Sequence, residues 1–189
     1  MPHKAVNTRR TTKRHRVPAA HRRFKRREDG PSRLEVHVAG VCYRRSNGGY
    51  SILAAKRRAD RALFPNKWEF GGGTVRPTET FDSAIERQIF EELGLDVRPI
   101  QVLEVYKIPI AGPQRLIPGV RFLCEAKSGK VKLNEREFSE YRWLKVPLRE
   151  KLDWISGLKE VAQIVSRMLT QSAPGPGKSP KPIIGFRRT

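Results

Sequence analysis

The chain has 189 residues, with 39 Lys and Arg against 19 Asp and Glu, for a net charge of +20. This length suits one domain with a hydrophobic core plus polar tails. The sequence lacks an apolar run near the ~18 residues of a membrane span, and no apolar segment follows the basic N-terminus. It therefore predicts neither a membrane protein nor a secretory signal.

The positive charge is concentrated at the two ends. Residues 1–30 carry a net charge of +9, and residues 172–189 carry +4. We predict a basic disordered arm over 1–32, a folded domain over 33–171 and a Pro/Gly-rich basic tail over 172–189. Such tails suit nucleic acid or a ribosomal particle, through counterion release. A mitochondrial transit peptide and an extension without function are the alternatives for the arm.

The periodicity predicts a strand-rich domain with two helices. The expected elements are, in chain order, strands at 34–43 and 50–55 joined by a turn at 46–49, a basic loop at 56–67, a short strand at 68–70, a helix at 80–93, strands at 97–107, 120–126 and 141–144, and a helix from Trp154 to about Leu169. Thr78 or Thr80 is the expected N-cap of the first helix, and Gly94 its stop. This order indicates an α/β fold, with helices packed on a central sheet.

Two cysteines, Cys42 and Cys124, lie in apolar runs that are typical of strands. We expect both to be buried free thiols, because the chain offers neither a metal-binding cysteine spacing nor a disulfide framework. A reducing cytoplasm suits this cysteine usage.

The stretch from Gly73 to Leu95 carries the chemistry. It follows the pattern G-x5-E-x7-R-Q-U-x-E-E-x-G-U, where U is aliphatic. Residues three and four apart share one face of a helix, so Gln88, Glu91 and Glu92 are expected to project together. Two adjacent carboxylates repel each other, and a bound hard cation such as Mg²⁺ would offset that repulsion. A solvated acidic helix end is the alternative for the pair alone.

This pattern resembles the box of the Nudix hydrolases, and the resemblance spans about residues 33–170. It implies a Nudix-type α/β/α sandwich with a mixed central sheet. It also implies a Mg²⁺-dependent hydrolase, with Mn²⁺ as a possible substitute, that cleaves the pyrophosphate bond of a nucleoside diphosphate linked to another moiety. The Trp-Glu-Phe before the glycines resembles the MutT-like, nucleoside-triphosphate branch, and Pro109 lies about where ADP-ribose-cleaving members carry a proline. Nucleotides, oxidised nucleotides and ADP-ribose-type compounds are therefore candidate substrates.

The resemblance implies roles for most fixed positions of the box. The metal shell would comprise a carbonyl of Gly72 and the carboxylates of Glu91, Glu92 and Glu137. The scaffold would comprise Gly73, Gly94 and an ion pair between Glu79 and Arg87. Glu137 is chosen as a late-loop carboxylate six residues before Trp143, and Glu135 and Glu140 are its rivals.

Position 88 departs from the usual box, where a glutamate stands in place of Gln88. A neutral amide accepts and donates hydrogen bonds, but it cannot act as a general base at neutral pH. Glu92 or Glu137 would then activate water, with Gln88 as a polar neighbour. Alternatively, the domain has become a weak catalyst that binds nucleic acid or a ribonucleoprotein. A Nudix-fold isomerase is a third interpretation, but its own Cys and Glu motifs cannot be placed.

Substrate contacts are predicted next to the box. Lys56, Arg57, Arg58 and Arg61 form a basic run that suits phosphates, although a solvated loop is the alternative. Trp68 is a candidate for stacking on a base, as are Phe70, Tyr106 and Phe122, with core packing as the alternative. The family often forms dimers, so a homodimer is possible, but no apolar stripe marks an interface.

Overall fold

The computed structural model describes residues 35–46, 49–109 and 116–171. The predicted arm, the predicted tail and the centre of the 46–49 turn lie outside the described residues. Within these ranges the elements are β1 (His37–Ser46), β2 (Gly49–Arg57), β3 (Trp68–Glu69), β4 (Gly72–Thr74), α1 (Phe81–Leu93), β5 (Asp96–Pro109), β6 (Leu116–Ser128), β7 (Phe138–Lys145) and α2 (Leu158–Gln171).

The strands form one mixed sheet. Its order is β3-β2-β1-β6-β5, with β4 paired to β1 and β7 paired to β2. The β1–β6 pair is parallel, and the other pairs are antiparallel. The prediction of a mixed central sheet is therefore confirmed.

The two helices cover opposite faces of this sheet. Along β1, Val38 and Cys42 belong to the cluster of buried side chains that contains α1 residues, and Val41 and Tyr43 belong to the cluster that contains α2 residues. Successive strand residues point to opposite faces, so this alternation shows a helix on each side. The α/β/α layering predicted from the family resemblance is confirmed.

Local sequence sets the bounds of α1. The Thr80 hydroxyl accepts a hydrogen bond from the Ser83 N–H at 3.1 Å, and the Ser83 hydroxyl accepts one from the Thr80 N–H at 3.0 Å. This reciprocal arrangement satisfies two backbone donors that helix geometry leaves open. At the other end, Gly94 adopts a left-handed conformation with φ of 67°, which glycine reaches without a steric penalty. The choice of cap between Thr78 and Thr80 is thereby settled for Thr80.

Two predicted boundaries are wrong. The predicted start of β1 near residue 34 is too early, because the strand begins at His37. The predicted start of α2 at Trp154 is also too early, because the helix begins at Leu158. Trp154 instead forms a β-bridge with Trp68, and Gly157 has a φ of 87° that interrupts helical geometry. The apolar residues before Leu158 follow helical spacing without being helical.

The short strand β4 was not predicted. It lies between the strand predicted at 68–70 and the helix predicted at 80–93, where Gly72, Gly73 and Thr74 pair with β1. Glycine has low strand propensity, so only the tertiary context reveals this strand. Cys42 and Cys124 are free and buried, as predicted. Among the described helices, none has the length and apolar character to cross a membrane.

Candidate active site

The glycine segment between β3 and β4 is held against the end of α1. The Gly40 N–H donates to the Gly71 carbonyl at 3.1 Å, and Gly72 pairs with Ala39 of β1. Gly71 has a φ of 65°, and a Cβ on it would lie 2.9 Å from Oε2 of Glu92. A side chain at this position would therefore strain the backbone and crowd the Glu92 carboxylate.

Glu92 is a buried carboxylate at this junction. It is 7% exposed, and its Oε2 accepts a hydrogen bond from the Gly72 N–H at 2.8 Å. Burial raises the pKa of Glu92 to about 8; the Gly72 N–H and Arg57 oppose the rise, and the charges of Glu69 and Glu137 add to it. Desolvation disfavours the charged form of a carboxyl group, so this side chain is poised to gain from a cation beside it.

Glu69 and Glu137 supply the negative charge around Glu92. Glu69 forms an ion pair with Arg57 at 2.5 Å, and its side chain is 19% exposed. Glu137 lies 3.6 Å from the Arg61 guanidinium and 3.4 Å from the Asn134 amide. Of the three late carboxylates considered, Glu137 is the one whose charge acts on Glu92, whereas the Glu140 carboxylate pairs with Arg142.

Sequence reasoning missed Glu69. Its position in the Trp-Glu-Phe triplet directly before the glycines was noticed only as a family feature. The structure gives it a physical place, because β3 delivers its carboxylate next to the glycine segment that binds Glu92. The signal that could have found it is a charged residue in an otherwise apolar strand end, which is seldom left unpaired when buried.

Glu91 lies in a different environment from its neighbour Glu92. Its two carboxylate oxygens contact Arg76 at 3.2 Å and Arg87 at 2.9 Å. Its side chain is 46% exposed. Consecutive residues on a helix are about 100° apart, so Glu92 turns into the core while Glu91 stays at the rim.

Glu79 and Arg87 form the ion pair that the resemblance implied. The Arg87 Nε lies 2.5 Å from Oε1 of Glu79, and Nη2 lies 2.8 Å from Oε2. The Arg76 N–H also donates to Oε2 at 2.9 Å. Hydrogen bonds from Arg87 and from the Arg76 backbone hold the pKa of Glu79 at about 2. This bidentate contact ties the loop to the helix that carries Glu92.

Gln88 is directed at the loop. Its amide nitrogen donates to the Thr74 carbonyl at 3.1 Å. Its side chain also packs on Gly73 so closely that any Cβ there would overlap the amide group. The amide therefore takes part in holding β4 against α1, and Gly73 is needed for that contact.

Gln88 and Glu92 both project from α1 onto β4, and Glu91 lies beside them at the rim. In this conformation each has a separate partner: Thr74, the two arginines and Gly72 respectively. Within residues 35–46, 49–109 and 116–171, no three His, Cys, Asp or Glu side chains are gathered tightly enough to hold a metal. Helical spacing fixes the position of the Glu91 Cα, and ion pairs with Arg76 and Arg87 fix the position of its carboxylate.

The residues around Glu92 nevertheless fit a divalent cation. Glu92 is buried with its pKa raised, and the negative charges of Glu69 and Glu137 act on it. Hard cations take carboxylate oxygens of this kind, together with waters and phosphates. Glu91 could join them only by giving up an arginine contact. Gly72 meets Glu92 through its N–H, which is a contact that sequence reasoning did not assign.

The three predicted substrate contacts are otherwise engaged. Arg57 is bound to Glu69 and to the Leu63 carbonyl, and Arg58 to Asp60 and the Glu135 carbonyl. Trp68 is 4% exposed and lies in a core cluster, where Arg142 stacks at 5.0 Å from its ring centre. Phe70 and Phe122 are also buried, which leaves Tyr106 as the partly open member of the predicted aromatic set.

Comparison with known proteins identifies the family. Residues 34–160 match the model of the NUDIX domain. The chain belongs to the Nudix family. It is 32% identical over 114 residues to the nucleoside triphosphatase NudI of Klebsiella pneumoniae, covering 56% of this chain and 79% of that protein. The NudI of an Escherichia coli strain gives the same identity and coverage.

Solved Nudix structures share the fold. A MutT Nudix hydrolase from Burkholderia pseudomallei superposes with a TM-score of 0.55 at 22% identity, over 69% of this chain and 95% of that one. An Ap4A hydrolase from C. elegans gives 0.57 at 17% identity, over 73% and 99%. As a Nudix hydrolase, this protein is a pyrophosphohydrolase that acts on acid anhydrides. The identification of the box and of the enzyme class from sequence is thereby confirmed.

Proposed function

We propose that this Nudix hydrolase cleaves a pyrophosphate bond of a nucleotide in a reaction that depends on Mg²⁺, with Mn²⁺ as a substitute. The observation that carries the proposal is the buried Glu92 carboxylate at the end of the box helix, held on the Gly72 N–H at 2.8 Å. Relatives named as nucleoside triphosphatases support a nucleotide as the substrate. Two buried free thiols suit the cytoplasm as the place of action.

Glu92 and Glu137 are the proposed metal ligands, with Glu91 and the Gly72 carbonyl joining them. When bound, the cation neutralises charge on the phosphate oxygens and lowers the pKa of bound water. The chain itself contributes positioning. The Glu79–Arg87 pair fixes the loop to the helix, and the Gln88 amide holds β4 through the Thr74 carbonyl.

Glu92 is also our candidate for the group that takes a proton from the attacking water. Burial raises the pKa of Glu92 to about 8 without metal, and a cation that displaces this proton would leave an ionised carboxylate able to accept one from water. Gln88 cannot take this part, because an amide does not accept a proton at neutral pH. Glu137 is the alternative base, since its charge acts on the same site.

Within the basic run before β3, Arg58 is the residue that we propose contacts the substrate phosphates. The Arg58 side chain is 43% exposed and pairs with Asp60 at 2.9 Å. Exposed ion pairs of this kind contribute little stability, so an incoming phosphate can displace Asp60. Arg57 remains bound to Glu69 in the proposed enzyme and tunes the charge near Glu92.

A weakened enzyme that acts as a binding module is the second candidate. Gln88 and the two arginine contacts of Glu91 favour it, because both features remove negative charge from the expected metal site. Nucleic acid or a ribonucleoprotein would be its partner, through the basic tails. The buried Glu92 favours the enzyme, because a buried carboxylate does not contribute to binding nucleic acid at the surface.

A product assay separates the two candidates. Phosphate, pyrophosphate and nucleoside monophosphate release would be measured over nucleoside triphosphates, oxidised nucleotides, ADP-ribose and dinucleoside polyphosphates, with Mg²⁺, with Mn²⁺ and with a chelator. We expect turnover of at least one nucleotide that the chelator abolishes and either ion restores. Turnover that is indifferent to the chelator would overturn the metal assignment. If only Gln88→Glu turns over, the natural chain is the weakened module.

A further inference from the structure

A second group of polar side chains lies on the α2 side of the sheet, away from the box helix. We call it the arginine cluster: Arg121 and Glu104, with Tyr106 and His37. Arg121 precedes Leu123 by two residues on β6, and Leu123 packs in the cluster that contains α2 residues. Residues two apart on a strand share a face, so Arg121 points to the α2 side. The catalytic chemistry described above does not use these residues.

Arg121 is a buried cation with unused donors. It is 6% exposed, and its Nε donates to Oε1 of Glu104 at 2.8 Å. Its two terminal nitrogens have no hydrogen-bond partner among the described residues, and they are not among the polar atoms sealed from solvent. A guanidinium that is mostly desolvated and leaves two parallel N–H donors open is prepared for an acceptor pair.

The rest of the cluster fixes the plane of this guanidinium. Its central carbon lies 4.4 Å from the ring centre of Tyr106, which is a cation–π contact. The Tyr106 hydroxyl lies 2.5 Å from Nδ1 of His37. Gly119 makes room for the ring, because a Cβ there would lie 2.5 Å from the Tyr106 Cζ. Burial, and then the charge of Arg121, lower the pKa of His37 to about 4, so this imidazole is neutral at physiological pH.

The sheet register places the backbone of Arg121 two strands away from the glycine segment that binds Glu92. Gly72 pairs with Ala39, Ala39 pairs with Arg121, and Arg121 pairs with Glu104. Neighbouring strands lie about 4.8 Å apart, so two steps separate the backbones of Gly72 and Arg121 by roughly 10 Å. Gly72 is the residue that binds Glu92. The charge of Glu69 raises the pKa of both Glu92 and Tyr106, so the two places have this carboxylate as a common neighbour although their side chains lie on opposite sides of the sheet. Phosphates near Glu92 and a base near Arg121 are therefore compatible with one nucleotide.

We propose that Arg121 determines the base specificity of this enzyme by donating both terminal N–H groups to a guanine-type base. Guanine presents two adjacent acceptors, N7 and O6, on one edge, and a bidentate arginine is their most common protein partner. Adenine places a donor beside N7, and neither pyrimidine offers two adjacent acceptors on that edge. Cytosine has such a pair, O2 and N3, only on its Watson–Crick edge, so a preference for cytosine would overturn the assignment. Tyr106 and His37 are positioning residues, since they act on the base through Arg121.

This proposal rests on the proposed function, because it assumes that phosphates occupy the Glu92 site. A phosphate at Arg121 is the competing outcome. The guanidinium stacks on Tyr106, and His37 is neutral. An aromatic ring and an uncharged imidazole favour a flat, neutral base over a charged phosphate. A phosphate contact would strengthen binding of all nucleotides alike, whereas a base contact discriminates among them.

The test compares base preference in wild type, Arg121→Gln and Arg121→Lys. Arg98→Gln is the matched control, because Arg98 forms another Arg–Glu pair between β5 and β6, with Glu125 at 2.5 Å, and is 61% exposed. Two readouts are used for each protein. One is kcat/KM with Mg²⁺ for GTP, ATP, UTP and CTP. The other is calorimetric binding of the four nucleoside monophosphates, which contain no anhydride to cleave.

We expect wild type and Arg98→Gln to prefer the guanine member of each set by about 10-fold to 100-fold. Both Arg121 variants should lose that preference, including Arg121→Lys, which keeps the charge but not the fork. If Arg121→Gln unfolds at a much lower temperature, the lysine variant decides. Equal weakening toward all four bases, or an unchanged base profile in the Arg121 variants, overturns the proposal.

The two proposals fail separately. Guanine-selective binding that depends on Arg121, in a protein that releases no product, would support the base site and overturn the hydrolase function. Nucleotide hydrolysis in a wild type without guanine preference would do the reverse.

Discussion

Two carboxylates of the same box, Glu79 and Glu92, illustrate opposite ways of placing a negative charge. Glu79 receives hydrogen bonds from the Arg87 guanidinium and the Arg76 N–H, and its pKa falls to about 2. Glu92 receives one from Gly72 among the described residues, and burial raises its pKa to about 8. Donors stabilise the ionised form, and desolvation disfavours it. The charge of Glu79 is therefore stabilised by partners within the protein, whereas the ionised form of Glu92 needs a bound ligand for stabilisation.

The contrast explains why both charges belong to one motif. The Glu79–Arg87 pair makes the loop and the helix one rigid piece, so that the Gly72 N–H meets Glu92. A rigid support is what a preorganised site requires. Variants of the two carboxylates and of their neighbours should therefore affect activity and stability differently.

Replacing Glu92 should have the largest effect. Glu92→Gln keeps the size of the side chain and its acceptor for Gly72, but it removes the charge. We expect kcat/KM to fall by about 10²-fold to 10⁴-fold, as is typical when a general base is lost. The matched control is Glu86→Gln, an exposed glutamate on the same helix, which should leave activity unchanged. If Glu92→Gln is as active as Glu86→Gln, Glu92 is not the carboxylate that the reaction requires.

The pH dependence of stability should separate Glu92 from ordinary carboxylates. Its pKa rises from 4.5 in the unfolded chain to about 8 in the folded one, so the folded state binds the extra proton between these values. The stabilisation is complete below pH 4.5 and is lost as the pH rises through about 8. For metal-free protein, we expect the free energy of unfolding to fall by a few kcal/mol over this window.

Denaturant titrations at several pH values measure that fall. Glu92→Gln should flatten this part of the curve, because the amide does not titrate. Mg²⁺ should restore stability at the alkaline end, since it binds the ionised carboxylate. A wild-type curve that matches the curve of Glu92→Gln would mean that the buried carboxyl does not resist ionisation.

Breaking the scaffold pair should affect stability more than chemistry. Arg87→Ala leaves Glu79 and Glu91 without their guanidinium partner and is expected to cost about 1–3 kcal/mol of unfolding free energy. Thermal unfolding checks the loss. Activity, measured well below the new midpoint, should fall less than in Glu92→Gln. If Arg87→Ala is fully stable but inactive, Arg87 touches the substrate instead of supporting the loop.

Restoring the usual glutamate at position 88 should have the smallest effect. Gln88→Glu removes the amide donor to the Thr74 carbonyl and adds a third carboxylate near Glu91 and Glu92. We expect metal-free stability to drop by about 1 kcal/mol. Mg²⁺ should bind more tightly, because the site gains charge. Calorimetry on the variant and on wild type measures both changes, and weaker Mg²⁺ binding would show that position 88 lies outside the metal shell.

The parts of the molecule governed by local rules could be predicted from sequence. The cap at Thr80 and the stop at Gly94 follow from side-chain and backbone preferences within a few residues. The apolar character of residues 38–43 predicts a strand, and β1 buries these six residues. The ion pair between Glu79 and Arg87 was expected from the family resemblance and not from a local rule, and the structure contains it.

The rest depends on contacts between distant segments. Glu69 acts on Glu92 through its charge only in the folded protein, because the two residues are far apart in sequence. Arg76 contacts Glu91 at the rim although fifteen residues separate them. Strand β4 forms because Gly72 and Gly73 pair with β1, although glycine disfavours strands. The residues of the arginine cluster come from β1, β5 and β6, so no local sequence pattern predicts that they lie together.

Proton release on metal binding tests the central claim most directly. At about pH 7, a carboxyl with a pKa of about 8 is mostly protonated, so binding of a divalent cation must displace that proton. Calorimetric titration of Mn²⁺ into wild type, in buffers of different ionisation enthalpy, counts the protons released per ion. The account predicts nearly one proton for wild type, and loss of both proton release and tight binding in Glu92→Gln. Tight binding with no proton released, or unchanged binding in the variant, would contradict the assignment of Glu92 as the carboxylate completed by the metal.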